Sequence, residues 1–393
     1  MHSAVDREIR DLIGKSGRTD GRITFAQFMR ACLYSPSGGF YSSRGNGINA
    51  HFGTSPTSHP VFGALIARQL EEMWHLLGDP SVFHVIEVGS GDGALARSIV
   101  DACRRMAPGL AQTLCYVAAD YEPFWVQSTD HTSGWDSGTG SMPGPGGQDT
   151  ISGAQRVKSQ GLEAFRNVVG CILCNELLDN FPVHRFAIQG GKVKEIFVTL
   201  ARGKLTEILD EPSSPRIEER LDSLDLSLPE GYRGEVNLAM EDWSSQINTT
   251  LDRGFVLTID YGQLAADLYS PQNSNGTLVC FNRHVVGNDP YQHIGRQDIT
   301  TQVDFTSLMQ LGRRCGLATV GYALQRQFLA NLGFALFLDA LQTQGLSDAR
   351  MELSRMAMMT LVDPDEYGDF KVLAQAKGMG PGIELLGFEG QGS

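Results

Sequence analysis

The segment "VIEVGSGDG", residues 85–93, ends a short apolar run in three glycines at alternate positions and then flows into a helical pattern. Glycines spaced this way let the backbone approach a ligand closely while the chain turns from strand to helix. Three readings compete for such a turn. A phosphoryl-transfer loop needs GxxxxGK[ST], and no lysine follows here. A dinucleotide turn reads GxGxxG with an acid about 20 residues on. Here the spacing is GxGxG, and Glu87 stands two residues before Gly89. A carboxylate at that point repels a pyrophosphate but suits a cationic amino-acid moiety. S-adenosyl-L-methionine (SAM) carries one, in its ammonium and sulfonium groups. The next apolar run ends "YVAAD", which sets Asp120 to accept hydrogen bonds from both ribose hydroxyls. Glu87, Gly89, Gly91, Gly93 and Asp120 together favour SAM over NAD; a tight bend without a ligand is the remaining alternative.

A second polar group follows in "CNELLDNFP". Asn175, Glu176 and Asp179 fall just past a strand end, where a transferred methyl group should point. Methyl transfer is an in-line displacement, so its protein mainly positions the nucleophile and leaves its lone pair free. An amide carbonyl and a carboxylate can hold two N–H groups of an amine, and carboxylates bind guanidinium bidentately. The competing role for Asn175 and Glu176 is a helix N-cap with a first-turn acid.

The elements that must position these residues show a clear rhythm from residue 83. "FHVIEVG", "TLCYVAAD", "CILCNELL" and "GFVLTIDYG" are strands, apolar throughout and separated by helical patterns. Such runs indicate a parallel sheet covered on both faces. Before them, residues 4–34 read as helices, "SPSGGFYSSRGNG" as an aromatic-bearing loop, and the stretch from about Pro60 as an amphipathic helix. Segment 128–155 is Gly/Ser/Pro/Asp-rich and reads as a mobile surface insertion. Between Pro182 and Arg253 the rhythm lapses into short strands around a Gly-Gly turn and an acidic stretch, an inserted substrate lid.

Composition narrows the function classes. The chain has 393 residues, 41% of them apolar, with 32 basic against 45 acidic residues, a net charge of −13. No basic stripe is present, so a nucleic-acid partner is not expected. No apolar run reaches the roughly 18 residues of a membrane span. The N-terminal stretch lacks an apolar signal core, and its acids argue against a transit peptide. Seven scattered cysteines suit a reducing cytosol, so a cytoplasmic location is expected, and a homodimer is compatible with the sequence. Cys171 and Cys174 match a metal or redox spacing but lie in an apolar run, where cysteine behaves as a small hydrophobe. The histidines show no HxxxH or HExxH spacing, so no metal site is expected.

The ordered motifs resemble the MidA-type SAM-dependent methyltransferases, a family that includes a mitochondrial protein-arginine methyltransferase of respiratory complex I assembly. The likeness rests on "ITFAQFMRACLY", "GGFY", Thr54-Ser55-Pro56, "VIEVGSGDG", "NELLDNFPV", "IDYG", "GTLVCFNRH", "GRQDITTQVDF" and "FLANLG", in that order over most of the chain. It implies an α/β, class I Rossmann-like methyltransferase with a largely parallel seven-stranded sheet. Residues 1–80 would form a helical extension and SAM-covering loop, 81–182 and 251–393 the SAM-binding domain, and 183–250 the inserted subdomain. It implies SAM contacts at Gly89, Gly91, Gly93 and Asp120, with Thr54, Ser55 and Pro56 near the same pocket and Glu87 supporting it. It gives Asn175, Glu176 and Asp179 a catalytic role. On the acceptor side, Tyr41, Tyr261, His284 and Asp298 are candidates, the last two either orienting the acceptor or forming a buried hydrogen-bonded pair. The expected reaction is N-methylation of a protein arginine or a related guanidino or amino group. Two departures keep other acceptors open, because His51 and Thr57 stand where the family usually has acids. A specialised small molecule or peptide, methylated on O, N or carbon, is one alternative. A SAM-binding assembly factor without turnover is another.

Overall fold

The computed structural model describes residues 3–16, 21–42, 54–121, 150–151, 154–159, 161–283, 285–343 and 345–390, with the backbone alone for 120–121 and 150–159. The 128–155 insertion lies almost wholly outside the described residues. Two compact units are present: 53–177 with 244–261 and 312–393, and 1–52 with 178–243 and 262–311.

The first unit is built on one mixed sheet, with eight strands among the described residues. Their order is Ala318–Leu324, Lys371–Lys377, Leu251–Asp260, Val168–Asn175, Phe83–Val88, Leu114–Tyr121, Ala154–Ser159 and Thr150–Ile151. The five strands from Leu251–Asp260 to Ala154–Ser159 run parallel, while Lys371–Lys377 and Thr150–Ile151 pair antiparallel to their neighbours. The fold is thus a mixed α/β one, with a sheet that is parallel at its centre and antiparallel at its edges. Phe83–Val88 is buried at every position, as a strand covered on both faces must be. The chain runs outward from Phe83–Val88 to one side of the sheet and returns to Val168–Asn175 on the other. That reversal is a topological switch point, where open α/β sheets take their ligands beyond the strands' carboxyl ends.

Helices Val61–Leu76 and Ala94–Met106 pack together beside this sheet. A Cβ at Gly63 would stand 2.4 Å from Ser98 Cβ, so only glycine permits this approach. The sequence places residues 53–80 with the N-terminal extension, whereas this packing binds them to the sheet unit.

The second unit carries a meander, His184–Gln189, Lys192–Ala201 and Lys204–Asp210, turning at Gly190-Gly191 and Arg202-Gly203. Its boundaries are wider than the expected 183–250. Strand Arg22–Thr24 pairs antiparallel with Lys192–Ala201, which brings in the N-terminal segment. Glu235 accepts from the Thr277 N–H at 2.8 Å, which ties in residues 262–311. Arg185 anchors this unit, ion-paired to Glu207, 3.8 Å from Glu235 and lying over the Phe25 ring at 5.0 Å. Helix Phe25–Tyr34 starts from a capping box in which Thr24 and Gln27 satisfy each other's backbone N–H groups.

Candidate active site

In the sheet unit, the site begins where Phe83–Val88 ends. Gly89, Gly91 and Gly93 all have positive φ, +75°, +52° and +75°, a region that strains any residue with a Cβ. Gly93 is the N-cap of helix Ala94–Met106. A Cβ at Gly89 would come within 2.9 Å of Leu177 Cδ1, whereas at Gly91 it would meet no described atom within 4 Å. The first glycine thus allows close packing and the second leaves open space beside the backbone. Glu87 is 4% exposed and accepts from the Tyr116 hydroxyl at 2.8 Å. That contact orients the carboxylate, while burial and the Glu87 charge hold the Tyr116 hydroxyl well above its usual pKa. Asp120 lies near the carboxyl end of the adjacent strand Leu114–Tyr121, and its side chain is outside the described residues.

Across the switch point, Asn175 ends its strand and Glu176 adopts φ +50°. A non-glycine residue in this region is strained by roughly 1–3 kcal/mol and persists only where its surroundings fix it. Here the Glu176 N–H donates to the Ile259 carbonyl at 2.8 Å. Its Oε1 accepts from Asn175 Nδ2 at 2.9 Å and from the Ser55 N–H at 3.2 Å. The next N–H, of Leu177, donates to Asp260 Oδ2 at 3.2 Å. Asn175 Oδ1, in contrast, is buried with no partner among the described residues. No α-helix follows; the next element is the single 3₁₀ turn Leu178–Asn180, so Asn175 and Glu176 do not serve as helix cap and first-turn acid.

The Thr54-Ser55-Pro56 motif opens the short helix Ser55–Ser58, and Ser55 is fully buried. Thr57, one of the two departures from the family, accepts from the Thr54 N–H at 3.0 Å, closing this turn locally. Gln325, invisible to motif reasoning, donates to Ser55 Oγ at 3.4 Å. Tyr261 packs its ring on Phe370 at 5.5 Å, and Phe370 meets Tyr367 edge-on. Burial first, with a contribution from the Glu176 charge, raises the Tyr367 hydroxyl above its usual pKa.

Asp179 belongs to the second unit, since the NELLD segment passes from one unit to the other between Leu177 and Leu178. It is buried, and its carbonyl accepts from the Thr301 N–H at 3.0 Å. Within this unit Tyr41 and Asp298 come together, both bonded to Asn180, a residue that spacing did not single out. Tyr41 also stacks on Tyr34 with ring centroids 5.6 Å apart. Burial first, then the Asp179 charge, pushes the Asp298 carboxyl up to about 8. His284 lies outside the described residues, so its pairing with Asp298 has no structural counterpart here. Cys171 and Cys174 are buried and free, with burial raising both thiols. Among the described residues no cluster of His, Cys, Asp and Glu could hold a metal, and no helix is long and apolar enough to cross a membrane.

The chain as a whole matches known proteins. Residues 65–323 fit the family described as "Putative S-adenosyl-L-methionine-dependent methyltransferase". The Drosophila melanogaster protein arginine methyltransferase NDUFAF7 homolog, mitochondrial, is 25% identical over 96% of this chain and 86% of its own. The Rattus norvegicus protein arginine methyltransferase NDUFAF7, mitochondrial, is 24% identical over 90% of this chain and 80% of its own. A Burkholderia thailandensis crystal structure with bound S-adenosyl-homocysteine superimposes with a TM-score of 0.79 at 26% identity, covering 98% of this chain and 95% of that one. The chain belongs to this family of SAM-dependent methyltransferases.

Proposed function

We propose that this enzyme methylates a nitrogen of protein arginine, with Asn175, Glu176 and Asp179 holding the acceptor. The observation that carries this reading is the pair at the switch point. Glu176 is held at φ +50° beside a buried Asn175 oxygen that has no partner among the described residues. Leaving such an acceptor unmet costs about 1–3 kcal/mol, an arrangement that makes sense when an incoming N–H completes it. Bound SAM supplies an activated methyl group. The backbone of Gly89, Gly91 and Gly93 gives it room, Glu87 faces its cationic part, and Asp120 takes the ribose hydroxyls. Thr54, Ser55 and Pro56 support this pocket through the Ser55 bond to Glu176. Asn175 and Glu176 accept N–H bonds from the acceptor and so turn a nitrogen lone pair toward the methyl group. Little base strength is required of them. Tyr261 is kept as the acceptor-side residue proposed in the sheet unit, and Tyr41 and Asp298, both bonded to Asn180, as those proposed in the second unit.

Relatives named as protein arginine methyltransferases over most of this chain's length support the protein acceptor. Those names also say mitochondrial. Seven free cysteines support a reducing compartment, for which we retain the cytoplasm as the proposal. We further propose that seven strands form the methyltransferase sheet, with Thr150–Ile151 an appended edge.

The test uses labelled SAM and a cell lysate separated into protein and small-molecule fractions. Label on protein, located on arginine by amino-acid analysis, is the expected result. Label confined to small molecules overturns it in favour of a specialised-metabolite acceptor. Transfer to neither fraction favours an assembly factor without turnover.

A further inference from the structure

Three side chains of the second unit close a polar ring. The Tyr41 hydroxyl lies 3.0 Å from Asn180 Oδ1 and 3.0 Å from Asp298 Oδ2. Asn180 Nδ2 donates to Asp298 Oδ1 at 2.9 Å and to the Ile299 carbonyl at 3.3 Å. A carbonyl can only accept, so Ile299 fixes the amide with its nitrogen toward the strand and its oxygen toward Tyr41. Tyr41 then has one proton and two acceptors asking for it. If Asp298 is ionised, one of the two 3.0 Å oxygen contacts of the Tyr41 hydroxyl carries no proton, between Tyr41 and residues only 7% and 2% exposed. With a proton on Asp298 every group is met. Asp298 donates to Tyr41, Tyr41 to Asn180 Oδ1, and Asn180 back to Asp298 Oδ1.

We infer that Asp298 is a protonated carboxylic acid in the resting enzyme, and that Asp298, Tyr41 and Asn180 are positioning residues that fix the Leu178–Asn180 turn and leave the negative charge to Asp179. The inference rests on the assignment of Asp179 to the acceptor. Every carbonyl of that turn is met from elsewhere in the unit: Leu178 by Asn237 Nδ2 at 3.3 Å, Asp179 by the Thr301 N–H at 3.0 Å and Asn180 by the Tyr34 hydroxyl at 3.1 Å. Among the described residues, the groups facing Asp298 are Tyr41, Asp179 and Cys280, with Tyr34 stacked behind Tyr41. Burial and Asp179 raise its carboxyl, and the bonds from Tyr41, Asn180 and the Ile299 N–H only partly offset them. One buried carboxylate beside one neutral acid complements a single cationic nitrogen, a guanidinium or ammonium, better than two charges that repel each other.

Infrared difference spectra of the full chain without acceptor test the protonation directly. Wild type minus Asp298→Asn should show a protonated-carboxyl carbonyl band at neutral pH that fades through about pH 8. Absence of that band at neutral pH overturns the inference. Kinetics test the positioning, as the rate of label transfer from tritiated SAM to a protein extract freed of small molecules. Asp298→Ala and Tyr41→Phe should lower kcat about 10- to 100-fold, with calorimetric SAM affinity within about twofold of wild type. Asp298→Asn both donates and accepts as the neutral acid does. It should recover most of the alanine loss and remove the decline in rate above about pH 8. An asparagine variant as impaired as alanine overturns the inference, because charge would then be what matters. If Asp179→Asn keeps full turnover, the acceptor assignment fails and the positioning role with it, whereas the infrared band still reports the ring.

Discussion

Two polar clusters follow one another within six residues of sequence, and they differ in how completely their bonds are met. Around Asn175 and Glu176 the backbone is strained and one buried amide oxygen has no partner among the described residues. Around Asn180 the amide, the phenol and the carboxylic acid complete one another. Strain and an unmet acceptor lower stability and persist where binding makes use of them. A saturated ring fixes geometry. The first cluster is therefore suited to receiving a ligand group and the second to holding a turn still.

The comparison breaks most readily at the first cluster. Asn175→Ala and Glu176→Gln should cut methyl transfer about 10²-fold or more while SAM affinity stays near wild type, measured by labelled transfer and calorimetry. If both clusters are only structural, these variants would instead lower stability by about 1 kcal/mol with unchanged turnover per folded molecule.

The glycine turn sharpens the same contrast. Gly89→Val should abolish calorimetric SAM binding and lower the melting temperature, because its Cβ meets Leu177 at positive φ. Gly91→Ala has open space and bears only backbone strain, on the order of 1 kcal/mol. A larger loss of SAM affinity than of stability there would mean that the open space belongs to the ligand. Asp120→Ala should weaken SAM binding by about 1–3 kcal/mol through lost ribose hydrogen bonds, and unchanged affinity would remove Asp120 from that role.

The ring predicts a pH effect on stability. The Asp298 carboxyl rises from 3.8 to about 8 on folding, so between those values the folded chain holds the extra proton. Stability should fall as pH rises through that window and level off above it. Melting curves of Asp298→Asn should show an advantage over wild type that grows across the window; a constant difference would count against the buried acid. The smallest effect is expected at a helix cap. Thr24→Ala should cost about 1 kcal/mol by chemical denaturation, with kcat unchanged, because only the cap of helix Phe25–Tyr34 is lost.

The four apolar runs were legible as strands because a fully buried strand writes its burial into consecutive residues. The glycine turn was legible because its φ values exclude other residues. The NELLD segment was legible as a polar group past a strand end, but not as conformation: nothing local announces a glutamate at φ +50°. That geometry comes from the Glu176 bond to Ile259 on the neighbouring strand.

What the sequence by itself determined, then, is the succession of the sheet's strands and the glycine turn between the first of them and its helix, since both follow from local periodicity and spacing. The tertiary structure decided the partners. Tyr116 meets Glu87 across 29 residues of chain, Asn180 meets Asp298 across 118, and Gln325 meets Ser55 across 270. It also decided the unit boundaries, because strand Arg22–Thr24 finds its hydrogen bonds on Lys192–Ala201. A buried polar atom takes whichever donor or acceptor the packed faces bring to it, and that choice is made between distant segments, where spacing along the chain carries no information.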